Sequence, residues 1–491
     1  MKKIIPIIAM LLAALSCSEF LDIRPEGTTE AQGTDYSKSE NMFLPVSAAY
    51  ASLRNYAAHS FPYISVFEIS SDDADKGSEA TDGPNQKDID EFKHTPATAI
   101  LNEIWGGFYD IVSAANYAIE QMPLFEAAQQ DATNKNYARQ CAAEAKVIRA
   151  YAYFNLTRMF GRVYIANKTC TAAELAALPQ ATTAQLYEFI EKDLEEAIPA
   201  LPPSYSKEWA GRITSYTALG IKAKVHLYQA EYDSVAACAG RIIASARYDL
   251  LPDFKTVFRA EGENSRESLF EIQSTTLGLT AGEAPYITYA YIQGPRGNQP
   301  GNMQGWGFCV PSQKLINFFA ARGDNTRAAV TLLRRGTKTA EGDSISSRCS
   351  NPVYNGKVYT PSGENKWSYN GYGFNHNVRI LRYADVLLMY AEALVRGSAQ
   401  PAGVTMTGTD ALNKVRERVG LAPVPLTTDN VLDERRAELA LEEDRFFDLV
   451  RTGRAAAELA AKGFQPGKHE VFPIPSAQRQ LNLNLNQNTG Y

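Results

Sequence analysis

The sequence lacks an excess of positive charge. Its 49 lysines and arginines are outnumbered by 55 aspartates and glutamates, which gives a formal net charge of -6. Nucleic-acid-binding proteins usually have a basic footprint, so this composition argues against a nucleic-acid partner. No interior stretch approaches the ~20 consecutive apolar residues that a helix needs to span a bilayer. The hydrophobic fraction of 45% is nevertheless sufficient for a large buried core.

Common catalytic signatures are also missing. The five histidines form neither an HExxH motif nor another ligand pair at i, i+4 spacing, and there is no GxSxG elbow or Walker loop. A glycoside hydrolase needs only two suitably placed carboxylates, but no pair stands out among the 55 acidic residues. We therefore predict a protein that is not an enzyme and needs no cofactor, with a glycoside hydrolase as the less favoured alternative.

One acidic motif imitates a calcium site. The stretch Asp73–Gly77, DADKG, matches the start of an EF-hand loop. The twelfth position counted from Asp73 is Pro84, so the bidentate glutamate of such a loop is missing. We favour a solvated acidic loop here, and an irregular structural calcium site is the alternative.

The first residues are typical of an exported protein. Two lysines precede an apolar run from Ile4 to Leu15, and Ser16 and Cys17 follow. A short apolar run after a positive start indicates a secretory signal rather than a membrane span. Leu15-Ser16-Cys17 also resembles the end of a bacterial lipobox, which implies removal of residues 1–16 and lipidation of Cys17. An ordinary cleaved signal is the alternative. The polar residues 17–40 predict a tether.

Helical periodicity dominates residues 41–250. Apolar side chains recur at three- and four-residue spacing in Ile104–Ala115, where Trp105 fits the apolar face and is interpreted as a core residue. Further helices are predicted in residues 137–160, 183–201 and 215–245. A short linker at Ala230–Tyr232 divides the last of these into an antiparallel hairpin. Successive helix pairs with small alanines predict an all-α, tetratricopeptide-like repeat array.

The C-terminal region, residues 251–491, begins differently. Between Pro252 and Asn375 the chain is rich in glycine, proline and aromatic residues, which predicts long loops with a few short strands. Loops longer than about 12–15 residues are usually functional or disordered, and the many aromatics argue against disorder. Helical patterns return in residues 379–397 and 408–420, so closing helices follow the loop-rich insertion.

The segment Leu432–Arg454, LDERRAELALEEDRFFDLVRTGR, combines seven acids with five arginines. We predict one packing helix, because its acids and arginines form opposite-charge pairs at i, i+3, where side chains meet. Those pairs are Asp433/Arg436, Arg435/Glu438, Glu442/Arg445 and Asp448/Arg451. Arg436 and Glu443 fall on the apolar stripe, so they need partners on another helix, since an unpaired buried charge is costly.

Several stretches together resemble the SusD/RagB family of Bacteroidota outer-membrane lipoproteins. The matching motifs are CSEFLD at 17–22, AEAKVIRAYAYFNLTRMFGRVY at 143–164, GRITSYTALGIKAKVHLY at 211–228, RYADVLLMYAEAL at 382–394, ERRAELALEEDRFFDL at 434–449 and FPIPSAQRQLNLNLNQNTGY at 472–491. The chain departs from the family pattern at Tyr164, where proline is usual. It also departs at Glu443 and Phe446, where glycine and tryptophan are frequent.

The resemblance implies both a fold and a function. It implies four tetratricopeptide-like helix pairs with an irregular loop-rich portion, and a lipid-anchored protein on the outer surface of the outer membrane. Such proteins are non-catalytic, capture a nutrient and act as a lid on a SusC-like TonB-dependent transporter. A glycan is the favoured nutrient. A peptide, as in RagB-like members, is one alternative, and a mainly structural subunit of the transporter complex is another.

Saccharide sites combine aromatic faces with amides and carboxylates that bind hydroxyls. In the loop-rich region an extended segment would direct Tyr289 and Tyr291 to one side and Tyr286 to the other, or this segment is simply a half-exposed strand. The resemblance implies that ligand sites use loops beside the first helices. The full set of predicted site residues is Tyr286, Tyr289, Tyr291, Trp306, Trp367, Tyr369, Asp73 and Asn85; a structural role is the alternative for Trp306.

Overall fold

The computed structural model describes residues 34–274, 288–299, 302–363 and 376–491 of the chain. α-Helices dominate these residues, and the strands form two-stranded antiparallel sheets. Within the described ranges, no helix has both the length and the apolar character required to cross a membrane. The predicted all-α fold class is therefore confirmed.

Helices make up most of the N-terminal half. They are α1 (Phe43–Ser52), α2 (Tyr56–His59), α3 (Phe61–Ile64), α4 (Pro84–Asp90), α5 (Ala99–Ala128), α6 (Ala132–Phe160), α7 (Ala172–Ala177), α8 (Thr183–Ala197), α9 (Ser215–Tyr228) and α10 (Tyr232–Ala244). A π-helical turn, Ser65–Ile69, follows α3, and the strand β1 (Ala74–Gly77) precedes α4. Short 3-10 turns lie at Ser39–Asn41, Ile198–Ala200 and Lys207–Trp209.

The C-terminal half mixes helices with short strands. Its helices are α11 (Tyr289–Gln293), α12 (Gln313–Arg322), α13 (Asn325–Thr331), α14 (Tyr383–Val395), α15 (Gly408–Arg418), α16 (Thr428–Leu439), α17 (Arg445–Arg451), α18 (Ala455–Glu458) and α19 (Ser476–Leu481). Its strands are β2 (Ser268–Ile272), β3 (Phe308–Pro311), β4 (Leu332–Arg334), β5 (Val353–Asn355) and β6 (Val378–Arg382). The sheets pair β1 with β3, β2 with β6, and β4 with β5, all antiparallel.

The long helices pack side by side as an array. α5 packs along α6, α6 against α8, and α9 against α10. α10 then contacts α14, which packs against α15 and α16. Short connections make successive helices antiparallel, and the predicted hairpin of α9 and α10 is confirmed. One continuous cluster of buried apolar side chains extends from Ala49 to Leu485, so the two halves share a core.

Local sequence signals explain where several of these helices begin. Thr182 caps α8 and Thr407 caps α15, and each forms a reciprocal capping box with the residue three positions later, Gln185 and Asp410 respectively. A capping box satisfies two of the backbone N–H groups left free at a helix start. Trp105 on α5 is 1% exposed, which confirms its interpretation as a core residue.

The segment Leu432–Arg454 is not one continuous helix. α16 ends at Leu439 and α17 begins at Arg445. The bend between them contains Leu441 and Glu443, with φ angles of 62° and 64°. This left-handed region favours glycine, and Glu443 stands where the resembled family often has glycine. The prediction of a single helix is therefore wrong, because the backbone turns sharply after α16.

Most charges of this segment have partners on other elements. Of the four predicted i, i+3 pairs, just Asp448/Arg451 appears among the ion pairs of the described residues, at 2.7 Å. The prediction of local compensation is wrong for the other three. Asp433/Arg436 and Arg435/Glu438 lie within α16, where stronger partners elsewhere in the fold take Arg435, Arg436 and Glu438, and only Glu442/Arg445 spans the bend. Partners on other elements replace them. Arg435 pairs with Asp385 and Asp448, Arg436 with Asp72 and Asp73, and Arg445 with Asp72. Glu438 pairs with Arg327, Arg382 and Arg418, and Glu442 pairs with Arg382 and Lys357.

Candidate ligand-binding surface

Four aromatic side chains from three parts of the chain form a continuous surface, which we call the aromatic shelf. Its members are Phe61, Tyr291, Trp306 and Phe308. The Trp306 ring lies edge-on to Tyr291, with 5.9 Å between centroids, and edge-on to Phe61 at 6.0 Å. Phe61 contacts Phe308 at 4.6 Å. Phe308 is buried, whereas the other three rings are partly exposed and so present apolar area to solvent.

The backbone holds the shelf in place. Phe61 starts α3 and Tyr291 lies in α11. The backbone N–H of Trp306 donates to the backbone carbonyl of Tyr291 at 3.1 Å. A Cβ on Gly305 would lie 2.2 Å from the same carbonyl oxygen and 2.6 Å from Gly294 Cα. Glycine is therefore required at position 305, because any side chain would push Trp306 away from Tyr291.

Charged side chains border the shelf. Arg296 forms ion pairs with Asp82 at 2.6 Å and with Glu79 at 3.2 Å. Lys76 Nζ lies 5.7 Å from the centroid of the Phe308 ring. Lys76 is buried and donates to the Glu79 and Asp82 carbonyls. Arg296 packs against Gly307, where an added Cβ would lie 3.0 Å from Arg296 Cβ, so its guanidinium and the two carboxylates supply hydrogen-bonding groups beside the apolar surface. Saccharide hydroxyls and ring faces require this combination.

The structure brings three predicted site residues to this region: Tyr291, Trp306 and Asn85. Asn85 lies in the first turn of α4 and is partly exposed. A Cβ on the preceding Gly83 would lie 2.7 Å from Phe308 Cε1, so the start of α4 packs against the shelf. The start of α4, beside the first helices, and the segment that carries Trp306 and Phe308 are therefore neighbours, as the family resemblance led us to expect.

Asp73 does not lie in a solvated loop. It is 0% exposed, and its Oδ1 lies 2.6 Å from Arg436 Nη2. Asp72 is also buried and pairs with Arg445 at 2.7 Å and with Lys314 at 2.9 Å. Burial raises the pKa of Asp73 despite the nearby arginines. The prediction of a solvated acidic loop is wrong for Asp73, whose carboxylate accepts from Arg436 in the interior, and Ala74–Gly77 form the strand β1 rather than a loop. Asp75 in the same motif is exposed.

Tyr289 faces the core rather than solvent. It lies in the short helix α11, so the prediction of an extended segment is wrong, and it is 4% exposed. Its hydroxyl donates to the Glu443 carboxyl, and the Glu443 N–H donates to Glu68 Oε2 at 2.8 Å. Burial, followed by the charge of Asp73, raises the pKa of Glu68 to about 8. Burial, followed by the charge of Glu68, raises the pKa of Glu443 well above its usual value.

The remaining predicted residues lie outside the described part of the chain. They are Tyr286, Trp367 and Tyr369, and the lipidation site Cys17. Their roles stay predictions. Tyr286 precedes α11, and Trp367 and Tyr369 follow Gly363 along the chain.

A second exposed aromatic was missed in the sequence. Trp209 is 44% exposed and lies at 5.3 Å, edge-on, from Phe43. The Arg212 guanidinium lies 5.1 Å from the Trp209 ring and forms a buried ion pair with Glu144. Cavities of about 290 and 250 Å³ border this residue. The available signal was a tryptophan in the polar stretch SYSKEWAGR, outside any apolar periodicity.

Comparison with known proteins decides the family. Residues 35–227 match the family model described as "Starch-binding associating with outer membrane", and residues 337–491 match the model described as "SusD family". The chain belongs to the SusD/RagB family. The two matched ranges do not overlap and include most of the helical array, so the resemblance recognised from the sequence motifs is confirmed, and with it the association of the family with the outer membrane.

Curated relatives of this SusD/RagB protein match over most of their length. It is 27% identical to SusD-like protein P2 of Formosa agariphila, with all of both chains covered. It is 26% identical to a SusD-like protein of Bacteroides ovatus, covering 90% of this chain and 80% of the relative. The similarity therefore extends beyond the two regions that the family models match.

Solved structures confirm the tetratricopeptide-like architecture. A laminarin binding SusD-like protein is 25% identical with a TM-score of 0.80, covering 92% of this chain and 99% of that chain. Surface glycan-binding protein A from Bacteroides thetaiotaomicron, solved with laminarihexaose, is 25% identical with a TM-score of 0.76, covering 91% and 99% respectively. Both relatives are named for glycan binding.

Proposed function

We propose that this SusD/RagB protein binds a saccharide at the aromatic shelf without chemically changing it. The observation that supports this proposal most directly is the set of partly exposed rings of Phe61, Tyr291 and Trp306, held by the backbone beside charged groups. Similarity to structures named for laminarin and laminarihexaose supports the same ligand class. The sequence-predicted aromatic residues Tyr286, Trp367 and Tyr369 are proposed to extend the same site.

The shelf suits a sugar better than a fully apolar ligand. Sugar rings have an apolar face that stacks on aromatic carbon and hydroxyls that need hydrogen-bond partners. The partly exposed rings supply the first, and Arg296 with its two acidic partners supplies the second. Asp73 and Tyr289 are not proposed to contact the saccharide, because both are buried.

Calorimetric titration of the soluble chain with laminarihexaose and a wider glycan panel tests this proposal. We expect Trp306→Ala to weaken binding at least tenfold, or about 1.4 kcal/mol, because the ring at the centre of the shelf is lost. Trp209→Ala is the matched control, since it removes a partly exposed tryptophan on a different surface. Equal loss in both variants, or no loss in either, would contradict the assignment to the shelf.

The same protein distinguishes the alternatives. Binding of a peptide panel with no response to any glycan would replace the saccharide by a peptide. Release of reducing sugar from a bound oligosaccharide, abolished by one Glu→Gln or Asp→Asn change, would show a glycoside hydrolase. A chain that binds neither ligand, yet is needed for assembly of a transporter complex, would show a structural subunit.

We further propose that Cys17 carries a lipid anchor and that the bound nutrient passes to a SusC-like TonB-dependent transporter. The signal-like residues 1–16 and the family's description support the anchor. Cys17→Ser should move the protein from the membrane fraction to the soluble fraction. Co-purification of a TonB-dependent transporter with the unmodified protein would support the transfer step, and its consistent absence would contradict it.

A further inference from the structure

Three potential metal ligands converge where α8 meets the turn between α9 and α10. His226 Nδ1 lies 2.6 Å from Glu231 Oε2 and 3.9 Å from Glu191 Oε1. The three ligand atoms all lie within 4.8 Å of one another. This cluster, which we call the His226 trio, is far along the chain from every residue of the aromatic shelf.

The spacing of the trio is close to that of a zinc site. Zinc binds imidazole nitrogen at about 2.0–2.1 Å and carboxylate oxygen at about 2.0–2.2 Å. With tetrahedral angles these bonds place the ligand atoms about 3.3–3.5 Å apart. The pair at 3.9 Å needs little movement. The pair at 2.6 Å has the length of a hydrogen bond, so a proton holds the position that the ion would take.

The surroundings favour metal binding over a simple surface ion pair. The His226 side chain is 7% exposed, so its ring is fixed, whereas Glu191 at 25% and Glu231 at 47% leave the cluster accessible from solvent. Gln229 Nε2 donates to Glu191 Oε1 at 2.6 Å and so orients that carboxylate toward the histidine. Such outer partners typically fix the ligands of metal sites. Two carboxylates also balance the charge of a divalent cation.

We propose that the His226 trio is a zinc-binding site with a solvent molecule completing the coordination. His226 binds through Nδ1 as a neutral ring whose proton resides on Nε2. Because Glu191 belongs to α8, His226 to α9 and Glu231 to the residue before α10, the bound ion links three consecutive helices of the array. None of its three residues belongs to the aromatic shelf, so the proposed zinc site does not rest on the proposed saccharide site.

Equilibrium dialysis of the purified protein against zinc chloride tests this proposal, with magnesium chloride as the comparison ion. We expect one zinc bound per chain and no competition by magnesium, since imidazole is a poor ligand for magnesium. Glu191→Gln and Glu231→Gln should each weaken zinc binding by at least the roughly tenfold that loss of an outer-shell partner costs. Glu195→Gln is the matched control, because it lies on α8 and pairs with Lys222 outside the trio.

Thermal unfolding gives the second measurement. Zinc should raise the Tm of the unmodified chain and of Glu195→Gln, but not that of Glu191→Gln or Glu231→Gln, because an ion that binds the folded state stabilises it. Zinc binding that is equal in all four proteins would assign the ion to other ligands, such as the free thiols, and would overturn the proposal. Absence of saturable zinc binding to the unmodified chain would overturn it as well.

Discussion

Glu438 and Glu443 lie five residues apart, Glu438 in α16 and Glu443 in the bend that follows it, and both are buried. Glu438 is surrounded by three arginines. The Glu443 carboxyl instead accepts a hydrogen bond from the Tyr289 hydroxyl and lies near a second carboxyl, that of Glu68. The same side chain is therefore accommodated in two ways within one short segment.

The arginines keep Glu438 charged. Its Oε2 lies 3.0 Å from Arg327 Nε and its Oε1 lies 3.0 Å from Arg382 Nη1, with Arg418 as a third partner. Although burial alone raises the pKa of Glu438, these three cations hold it well below its usual value. A lowered folded-state pKa adds stability above the unfolded-state pKa, and that stability is lost as pH falls through the folded-state value.

Glu443 and Glu68 show the opposite pH dependence. Neither carboxyl forms an ion pair with the described residues. Burial together with the charge of Asp73 raises the pKa of Glu68, and burial together with the charge of Glu68 raises the pKa of Glu443. A raised folded-state pKa adds stability below the unfolded-state value, and that stability is lost as pH rises through the folded-state value, about 8 for Glu68. A buried carboxyl is thus stabilised either as an anion by neighbouring cations or in its protonated form. The first kind of stabilisation is lost at low pH and the second at high pH.

The largest effect is expected from Glu438→Gln. The change leaves Arg327, Arg382 and Arg418 without their shared carboxylate in the interior. Removing one partner of a buried ion pair typically costs about 3–5 kcal/mol. Chemical denaturation at neutral pH should show a loss of this size. A loss below about 1 kcal/mol, the scale of an exposed pair, would mean that the cluster contributes little.

A smaller effect of opposite sign is expected from Glu443→Gln. The amide keeps a hydrogen-bond acceptor for Tyr289 but cannot ionise, so the unfavourable ionisation of the buried Glu443 carboxyl at high pH, which follows from its raised pKa, is removed. Denaturation at pH 9 should then show a gain of about 1–2 kcal/mol, since one pKa unit corresponds to about 1.4 kcal/mol. At pH 5 the gain should vanish. Glu442→Gln is the control, because Glu442 pairs with Arg382 and Lys357 and should lose stability at both pH values.

The smallest effect is expected where the same segment is exposed. Arg454 at its end pairs with Asp429, whose side chain is 81% exposed. Exposed pairs contribute about 0–1 kcal/mol, so Asp429→Asn should change the free energy of unfolding by less than about 0.5 kcal/mol. Added salt should abolish even this difference, whereas it should leave the Glu438→Gln effect largely intact. A large, salt-resistant effect at Asp429 would undo the contrast between buried and exposed charge.

The helices were predictable because their signals are local. Apolar spacing located α5 and α6, and the linker at Ala230–Tyr232 located the hairpin of α9 and α10. The resemblance to a family added the repeat architecture. The pattern in residues 379–397 was taken as one helix, but its first residues pair as β6 with β2, a partner more than 100 positions earlier. No periodicity within the segment reports such a partner.

The candidate site was predictable only in part, for the same reason. Tyr291 and Trp306 were named by residue type, and Asn85 through the family resemblance, yet Phe61, the ring that joins Trp306 to Phe308, comes from a helix more than 200 positions before Tyr291. Asp73 was misjudged because its partner Arg436 lies 363 positions away. Opposite charges at i, i+3 are visible in the sequence, but three of the four such pairs in Leu432–Arg454 are not formed, because their members pair across the fold with residues that no local pattern reports.

Gly305 has a consequence for how a ligand is bound. Because this residue packs backbone against backbone, Trp306 is fixed when the chain folds and not when the ligand arrives. The loss of conformational entropy needed to order the shelf therefore occurs on folding rather than on binding, and preorganisation of this kind raises affinity without adding a contact. Changes in ligand preference are therefore expected to arise from residues around the shelf, while a single methyl group at position 305, which no sugar would touch, would dismantle the surface itself.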